Sequence, residues 1–136
     1  MREQLIETAR AISGEFYLQK EFSAGGVGAA ILTADGNIYS GICLDLGCGL
    51  GFCAEVAAMA EMLKHRETHI DTVVAVSGRG ILPPCGRCRE TMAQLDARNL
   101  DAKVIISENR TLLLRDLLPD HWLSKPGAEP SDPDDA

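Results

Sequence analysis

Two short stretches, Cys53-Ala54-Glu55 and Pro84-Cys85-Gly86-Arg87-Cys88, decide how the rest of this chain is read. Each stands where an irregular segment gives way to a helix-forming run. The first follows the loop Gly47-Cys48-Gly49-Leu50-Gly51 and leads into Ala54–His65, rich in alanine, methionine and glutamate, which favours a helix. The second follows a loop over Gly78–Pro84 and leads into a helix of about Cys85–Ala97, with Pro84 suited to its start. A Cys-x-x-Cys at a helix start brings two sulfurs onto one metal ion, and the free amides and dipole there favour thiolates. Cys53, at another helix start, supplies a third sulfur. Zinc takes such ligands in a tetrahedron, and three protein ligands leave a fourth position for water, as in catalytic centres. Glu55, two residues past Cys53, can stand beside the ion without ligating it. Zinc lowers the pKa of its water towards neutrality, and a nearby carboxylate can accept that proton. The same carboxylate can hand protons to a ring nitrogen and to a leaving amine, which is the logic of hydrolytic deamination.

On the N-terminal side, Arg2–Lys20 carries Leu5, Ile6, Ala9, Ile12 and Phe16 at helical spacing and predicts an amphipathic helix. Ala24-Gly25-Gly26 then leads into the apolar run Val27–Leu32. Asp35-Gly36 is a turn signal, and Asn37–Leu46 resumes with apolar alternation, so the two segments predict an antiparallel hairpin. Between the two cysteine motifs, Asp71–Ser77 reads as a buried strand. Beyond them, Lys103–Ser107 is a second apolar strand, Thr111–Leu114 an edge strand, and Leu117–Trp122 closes the domain. Both motifs thus fall where helices cover a sheet.

Composition narrows the classes of function. The 136 residues suffice for one domain with its own core. Aromatics make up only 4%, so Ala, Val, Ile and Leu must build that core. The net charge is −7, and removing Pro126–Ala136, with four acids and no base, leaves 13 basic against 16 acidic residues. No basic stripe offers itself to nucleic acid. No apolar run approaches the about 20 residues that cross a bilayer, and Met1–Leu5 does not open a signal peptide. A cytoplasmic location is expected, with no membrane partner. Five clustered cysteines then read as metal-binding or catalytic rather than as a disulfide framework. Residues 125–136, rich in Pro, Asp and Ser, are expected to form a disordered acidic tail.

Cys53-Ala54-Glu55 followed by Pro84-Cys85-Gly86-Arg87-Cys88 matches the zinc deaminase signature in its three-cysteine form. The chain resembles the three-cysteine, usually tetrameric class of the cytidine deaminase family. The hairpin Val27-Gly28-Ala29-Ala30 with Asp35-Gly36, and the ending Leu117-Leu118-Pro119, extend the resemblance from the first helix to Trp122. The run Gly80–Arg89 is more specifically similar to blasticidin S deaminase. The resemblance implies an α/β fold, a three-layer α/β/α sandwich with a five-stranded mixed sheet. It implies a zinc-dependent deaminase domain over residues 1–124, with Zn²⁺ on Cys53, Cys85 and Cys88 and Glu55 as the catalytic group. A small-molecule amino-heterocycle as substrate and a homotetramer follow from it too. Ala54, Cys43, Asp45 and Trp122 fall at substrate-binding positions, with Arg87 and Pro84 supporting the site.

Three departures from the family pattern bear on the substrate. The second strand of cytidine deaminases offers an asparagine and, two residues on, a glutamate to the ribose hydroxyls; here Cys43 and Asp45 stand there. The phenylalanine that precedes the Val-Gly-Ala-Ala segment is replaced by Gly25. The arginine that follows the catalytic glutamate is Val56, which leaves Arg87 as the substitute donor to the sulfurs. These changes favour a free base or base analogue over cytidine, with cytidine, deoxycytidine and blasticidin S as alternatives.

The same residues admit plainer readings. If Cys48 or Cys43 closed the tetrahedron, the chain would be a zinc-stabilised binding module without turnover. An acid in the first turn of an Ala-rich helix suits the dipole whatever else it does. Cys43 and Cys48 read as packing or pocket-wall residues. His65, His69 and His121 lack ligand spacing. Arg79 either binds substrate or decorates its loop, and Trp122 either caps the core or closes a neighbour's site.

Overall fold

The protein's structure, a computed structural model, describes residues 1–124; the tail expected to be disordered, 125–136, lies outside the described residues. In chain order the elements are α1 (Arg2–Ile12), β1 (Phe16–Tyr17), β2 (Ser23–Thr33), β3 (Ile38–Asp45), α2 (Ala54–Lys64), β4 (Ile70–Ser77), β5 (Gly80–Leu82), α3 (Gly86–Leu95), β6 (Lys103–Ser107) and β7 (Arg110–Leu113). Short 3-10 turns fill several of the connections.

The glycine- and alanine-rich run of β2 and the valine-rich run of β4 pair as antiparallel neighbours, with Ala29 opposite Ala75, Ala30 opposite Val74 and Ile31 opposite Val73. Side chains alternate across a strand, so these pairs sort onto opposite faces. Ala30, Val74 and Ile105 pack with Leu5, Ile6 and Ala9 of α1. On the other face Ile31, Val73 and Val104 pack with Met59 and Met62 of α2 and Met92 of α3. Cover on both sides is why these strands read as unbroken apolar runs rather than as alternation. The three-layer α/β/α arrangement follows.

The sheet differs from the expected five strands: it has seven. Five long strands do form its body in the order β3-β2-β4-β6-β7, mixed because β4 and β6 run parallel while the other pairs are antiparallel. β2 and β4 outrun their neighbours, and the exposed backbone edges are taken by two short strands. β1 pairs with Ser23 and Ala24 of β2, and β5 pairs with Ala75–Ser77 of β4. Both segments were disguised in the sequence. Phe16 continues the helical spacing of Arg2–Lys20, yet α1 stops at Ile12: the Ser13 N–H and hydroxyl both bond to Arg10 O, and the Gly14 N–H bonds to Gly25 O at 2.7 Å. Gly80–Leu82, read as loop, is too short and too closely followed by prolines to declare itself as strand. The hairpin predicted at Asp35-Gly36 is present, closed by Thr33 N–H to Asn37 O at 2.8 Å and Gly36 N–H to Thr33 O at 3.0 Å.

α3 ends at Leu95, short of the expected Ala97, because Asp96 is extended and caps the next 3-10 turn by accepting from the Arg98 N–H. In that turn Asn99 is fully buried. Its Nδ2 donates to Thr68 O and Met92 O, and its Oδ1 accepts from the Ile70 N–H at 2.7 Å. One side chain thereby ties the end of α3 to the start of β4, with every polar atom satisfied. Among the described residues no helix is long and apolar enough to cross a membrane.

Candidate active site

α2 and α3 each have a cysteine as N-cap: Cys53 (φ −77°, ψ 155°) and Cys85 (φ −72°, ψ 171°). Neither side chain caps its own helix, so both sulfurs are left to other partners. Cys88, in the first turn of α3, is fully buried. The three sulfurs lie within 4.8 Å of one another, with Cys53 Sγ 3.3 Å from Cys85 Sγ and Cys85 Sγ 3.6 Å from Cys88 Sγ. Zinc–sulfur bonds of about 2.3 Å in a tetrahedron set sulfurs about 3.8 Å apart. The cluster is close to that spacing, and its soft donor set fits zinc. Among the described residues neither Cys43, Cys48 nor any histidine or carboxylate joins this group.

The thiols do not share one environment. Burial pushes Cys53 up to about 11, reinforced by its hydrogen bond with Cys85, and burial together with the Glu55 charge pushes Cys88 higher still. Burial also penalises Cys85, but the N–H groups of Cys88 and Arg87 and the neighbouring thiols outweigh it and hold this thiol below its ordinary value. Cys85 is the sulfur whose anion the α3 start itself stabilises; a divalent cation is the partner that allows the other two to ionise.

Glu55, in the first turn of α2, is only 4% exposed. Burial raises its carboxyl above the ordinary carboxylate range, against one opposing backbone hydrogen bond. An acid shifted in that direction is suited to both accepting and returning protons. It reaches a cavity of about 570 Å³, whose wall also holds Cys53 and Cys85.

The structure brings most of the expected site residues to this cavity. Ala54, Cys43, Asp45 and Arg87 all line it. Cys43 is buried; its Sγ accepts the Val27 N–H at 3.3 Å and lies 3.8 Å from Asp45 Oδ2. Pro83 rather than Pro84 lines the cavity, while the Pro84 carbonyl accepts Arg89 Nε at 2.8 Å. Trp122 does not line it: it is 58% exposed, beside Glu90, whose Oε1 accepts the Trp122 N–H at 2.8 Å. His65 is likewise elsewhere, stacked on Tyr39 with ring centroids 5.1 Å apart.

Two residues at the site are ones that sequence reasoning passes over. Phe52 lines the cavity and is 36% exposed. Arg89 joins the Pro84 carbonyl to Leu117 O, at 3.0 Å from Nη1, and so fastens the turn before Cys85 to the C-terminal segment. Phe52 carries a signal in retrospect, a ring directly before a ligand in a chain poor in rings. Arg89 carries none, because an arginine on a helix reads as solvated.

Residues 1–104 match the family described as cytidine and deoxycytidylate deaminase zinc-binding region. The chain is similar to the cytidine deaminase of Mycobacterium tuberculosis, 34% identical over 101 residues that cover 73% of this chain and 74% of that protein. Its structure is similar to the crystal structure of the M. tuberculosis cytidine deaminase, with a TM-score of 0.74 and 28% identity over 89% of this chain and 96% of that one. It is also similar to the cytidine deaminase of Burkholderia pseudomallei, with a TM-score of 0.73 and 28% identity over 90% of this chain and 99% of that one.

Proposed function

The chain belongs to the cytidine deaminase family of zinc-dependent hydrolytic deaminases, and from that premise we propose that it releases ammonia from a cytosine-like amino-heterocycle, a free base or base analogue in preference to cytidine. The observation that carries this preference is the engagement of Cys43. Its thiol is buried, accepts a backbone N–H from Val27 and faces Asp45. A thiol donates and accepts only weakly, so little is left here for a ribose hydroxyl. A site built to bind a hydroxyl discriminates strongly for it; a site without such partners gains little from a sugar.

Cys53, Cys85 and Cys88 would hold the ion, which when bound supplies Lewis acidity that makes water a nucleophile near neutral pH. Glu55 takes the proton that water loses as its oxygen adds to the amino-bearing ring carbon. It passes this proton to the adjacent ring nitrogen, then takes the second proton from the hydroxyl now on that carbon and hands it to the departing amine, so that the C–N bond breaks, ammonia leaves and a carbonyl remains. Its burial keeps bulk water from competing for these protons. Assembly as a homotetramer is part of the proposal, supported by the exposure of Trp122 outside its own cavity.

An ammonia-release screen over cytosine, cytidine, deoxycytidine, blasticidin S and amino-substituted pyrimidine, purine and triazine bases tests this reading. The relatives named above are cytidine deaminases, so cytidine is the decisive competitor. A cytidine kcat/KM equal to or above that of all the bases would refute the preference and give Asp45 the hydroxyl-binding role. Glu55→Gln should keep zinc and fold but lose about 10²–10⁴-fold in turnover.

A further inference from the structure

We propose that Phe52 is the stacking wall of this cavity, presenting its ring to the face of the heterocycle and thereby setting the preference for flat aromatic substrates. The proposal rests on the amino-heterocycle reading above and adds to it a binding residue that neither cysteine motif contains. Among the described residues, Phe52 is the only aromatic one lining the cavity. The part of the wall supplied by β2 is Gly26 and Val27, which offer no ring. Phe52 is 36% exposed and belongs to neither apolar core cluster.

The backbone beneath the ring is fixed. Leu44 N–H donates to Phe52 O at 3.0 Å and Phe52 N–H donates to Leu44 O at 2.9 Å, an isolated bridge that pins residue 52 to the end of β3. The preceding residue lies so close to that strand that a Cβ on Gly51 would sit 2.0 Å from Leu44 O. The next residue is Cys53, and Glu55 follows two further on. The backbone that carries the ring is therefore held at a set place relative to the sulfur cluster and the proton carrier, as a positioning surface requires.

Stacking on an aromatic face suits any planar base and is indifferent to a sugar. It acts equally on the bound substrate and the transition state, so its loss should raise KM and leave kcat nearly intact.

The test is steady-state ammonia release from cytosine and from cytidine by the zinc-loaded wild-type chain and by Phe52→Ala, Phe52→Leu and Phe52→Tyr, with zinc content and melting temperature measured for each. Phe52→Ala should raise KM by about ten- to hundred-fold, the range that removal of one base–aromatic stack produces, with kcat changed less than about threefold. Phe52→Leu, which keeps apolar bulk without a π face, should recover only part of the loss, and Phe52→Tyr should recover nearly all of it. Unchanged KM in Phe52→Ala, or a fall in kcat and zinc content that Phe52→Tyr fails to restore, would overturn the assignment while leaving the deaminase reading intact. A wild-type chain inactive on both probes and on every base of the ammonia-release screen above would instead overturn the amino-heterocycle reading, and the stacking wall with it.

Discussion

Gly41→Ala should be among the most damaging single-methyl changes the fold can suffer, and its cost can be worked from one contact. Gly41 lies on β3 opposite Ala29 of β2, where α2 comes down onto the sheet. A Cβ there would fall 2.5 Å from Ala58 N, 2.6 Å from Ala57 Cβ and 2.7 Å from Ala57 C. Ordinary contact begins near 3.4 Å, so strand and helix must part by about 0.7–0.9 Å. Two of the three atoms met are backbone, and no rotamer change can relieve the clash. Overpacking a well-filled core costs about 1–3 kcal/mol, and a backbone clash belongs at the upper end, about 3 kcal/mol. With an unfolding entropy of about 2.1 cal/mol/K per residue, the described chain loses about 0.26 kcal/mol of stability per degree. The expected fall in melting temperature is therefore about 12 °C. Because Cys53 is the N-cap of α2 and Glu55 lies in its first turn, the same displacement should weaken zinc retention. Thermal unfolding and metal titration of Gly41→Ala beside Gly78→Ala, where a Cβ meets nothing within 4 Å, would check both effects. A Gly41→Ala chain melting within about 2 °C of wild type, with undiminished zinc affinity, would show that β3 and α2 do not meet so closely.

Three further outcomes follow from particular side chains. Purified protein should hold one zinc ion per chain, and Cys53→Ala or chelation should remove it with a loss of stability, since assembling the site and folding are coupled; full zinc occupancy in Cys53→Ala would contradict the ligand set. Asp96 is drawn down to about 2 by the Arg98 guanidinium, the Arg98 N–H and the Thr68 hydroxyl, against the penalty of burial. A carboxyl lowered from 3.8 stabilises the fold by about 2 kcal/mol once the pH is well above its ordinary value and loses this as the pH falls through 2. Urea unfolding should therefore show Asp96→Asn weaker than wild type at pH 6, with the gap closing towards pH 2; a gap independent of pH would count against it. Asn99→Asp keeps shape but turns a carboxylate oxygen towards Thr68 O and Met92 O; a loss of about 2–4 kcal/mol in equilibrium unfolding is expected, and a neutral result would mean that this junction is wet.

What the sequence made legible was what depends on local chemistry. Lys103–Ser107 has the bounds read from its apolar run, and the starts of α2 and α3 fall beside Cys53 and Cys85 because glycine and proline break the chain just before them. The three sulfurs were legible for the same reason: two helix starts offer few other arrangements that satisfy three thiols. β1 and β5 were not legible, because two or three residues carry no period, and their existence depends on β2 and β4 outrunning their neighbours. Phe16 illustrates the failure: its spacing continues α1, but what decides its place is a backbone bond between Gly14 and Gly25, residues apart in sequence.

The candidate site divides along the same line, and the division locates where substrate choice is made. Glu55 and the cysteines owe their meeting to helix starts, which a sequence announces. The cavity wall is made by contacts between segments that announce nothing: Cys43 against Val27, Phe52 against Leu44. The reaction is encoded in motifs that keep one ion and one carboxylate together, whereas the proposed selectivity rests on the loop over residues 46–52 and the strand end it bridges. On the proposed reading, changes there are expected to redirect the substrate without disturbing the sulfur cluster, because the bridge ends at Phe52 and the helix begins only after Cys53. The family pattern therefore reaches this chain intact at its metal ligands and altered at Cys43, Asp45 and Gly25, the positions on which the proposed preference for base over nucleoside rests.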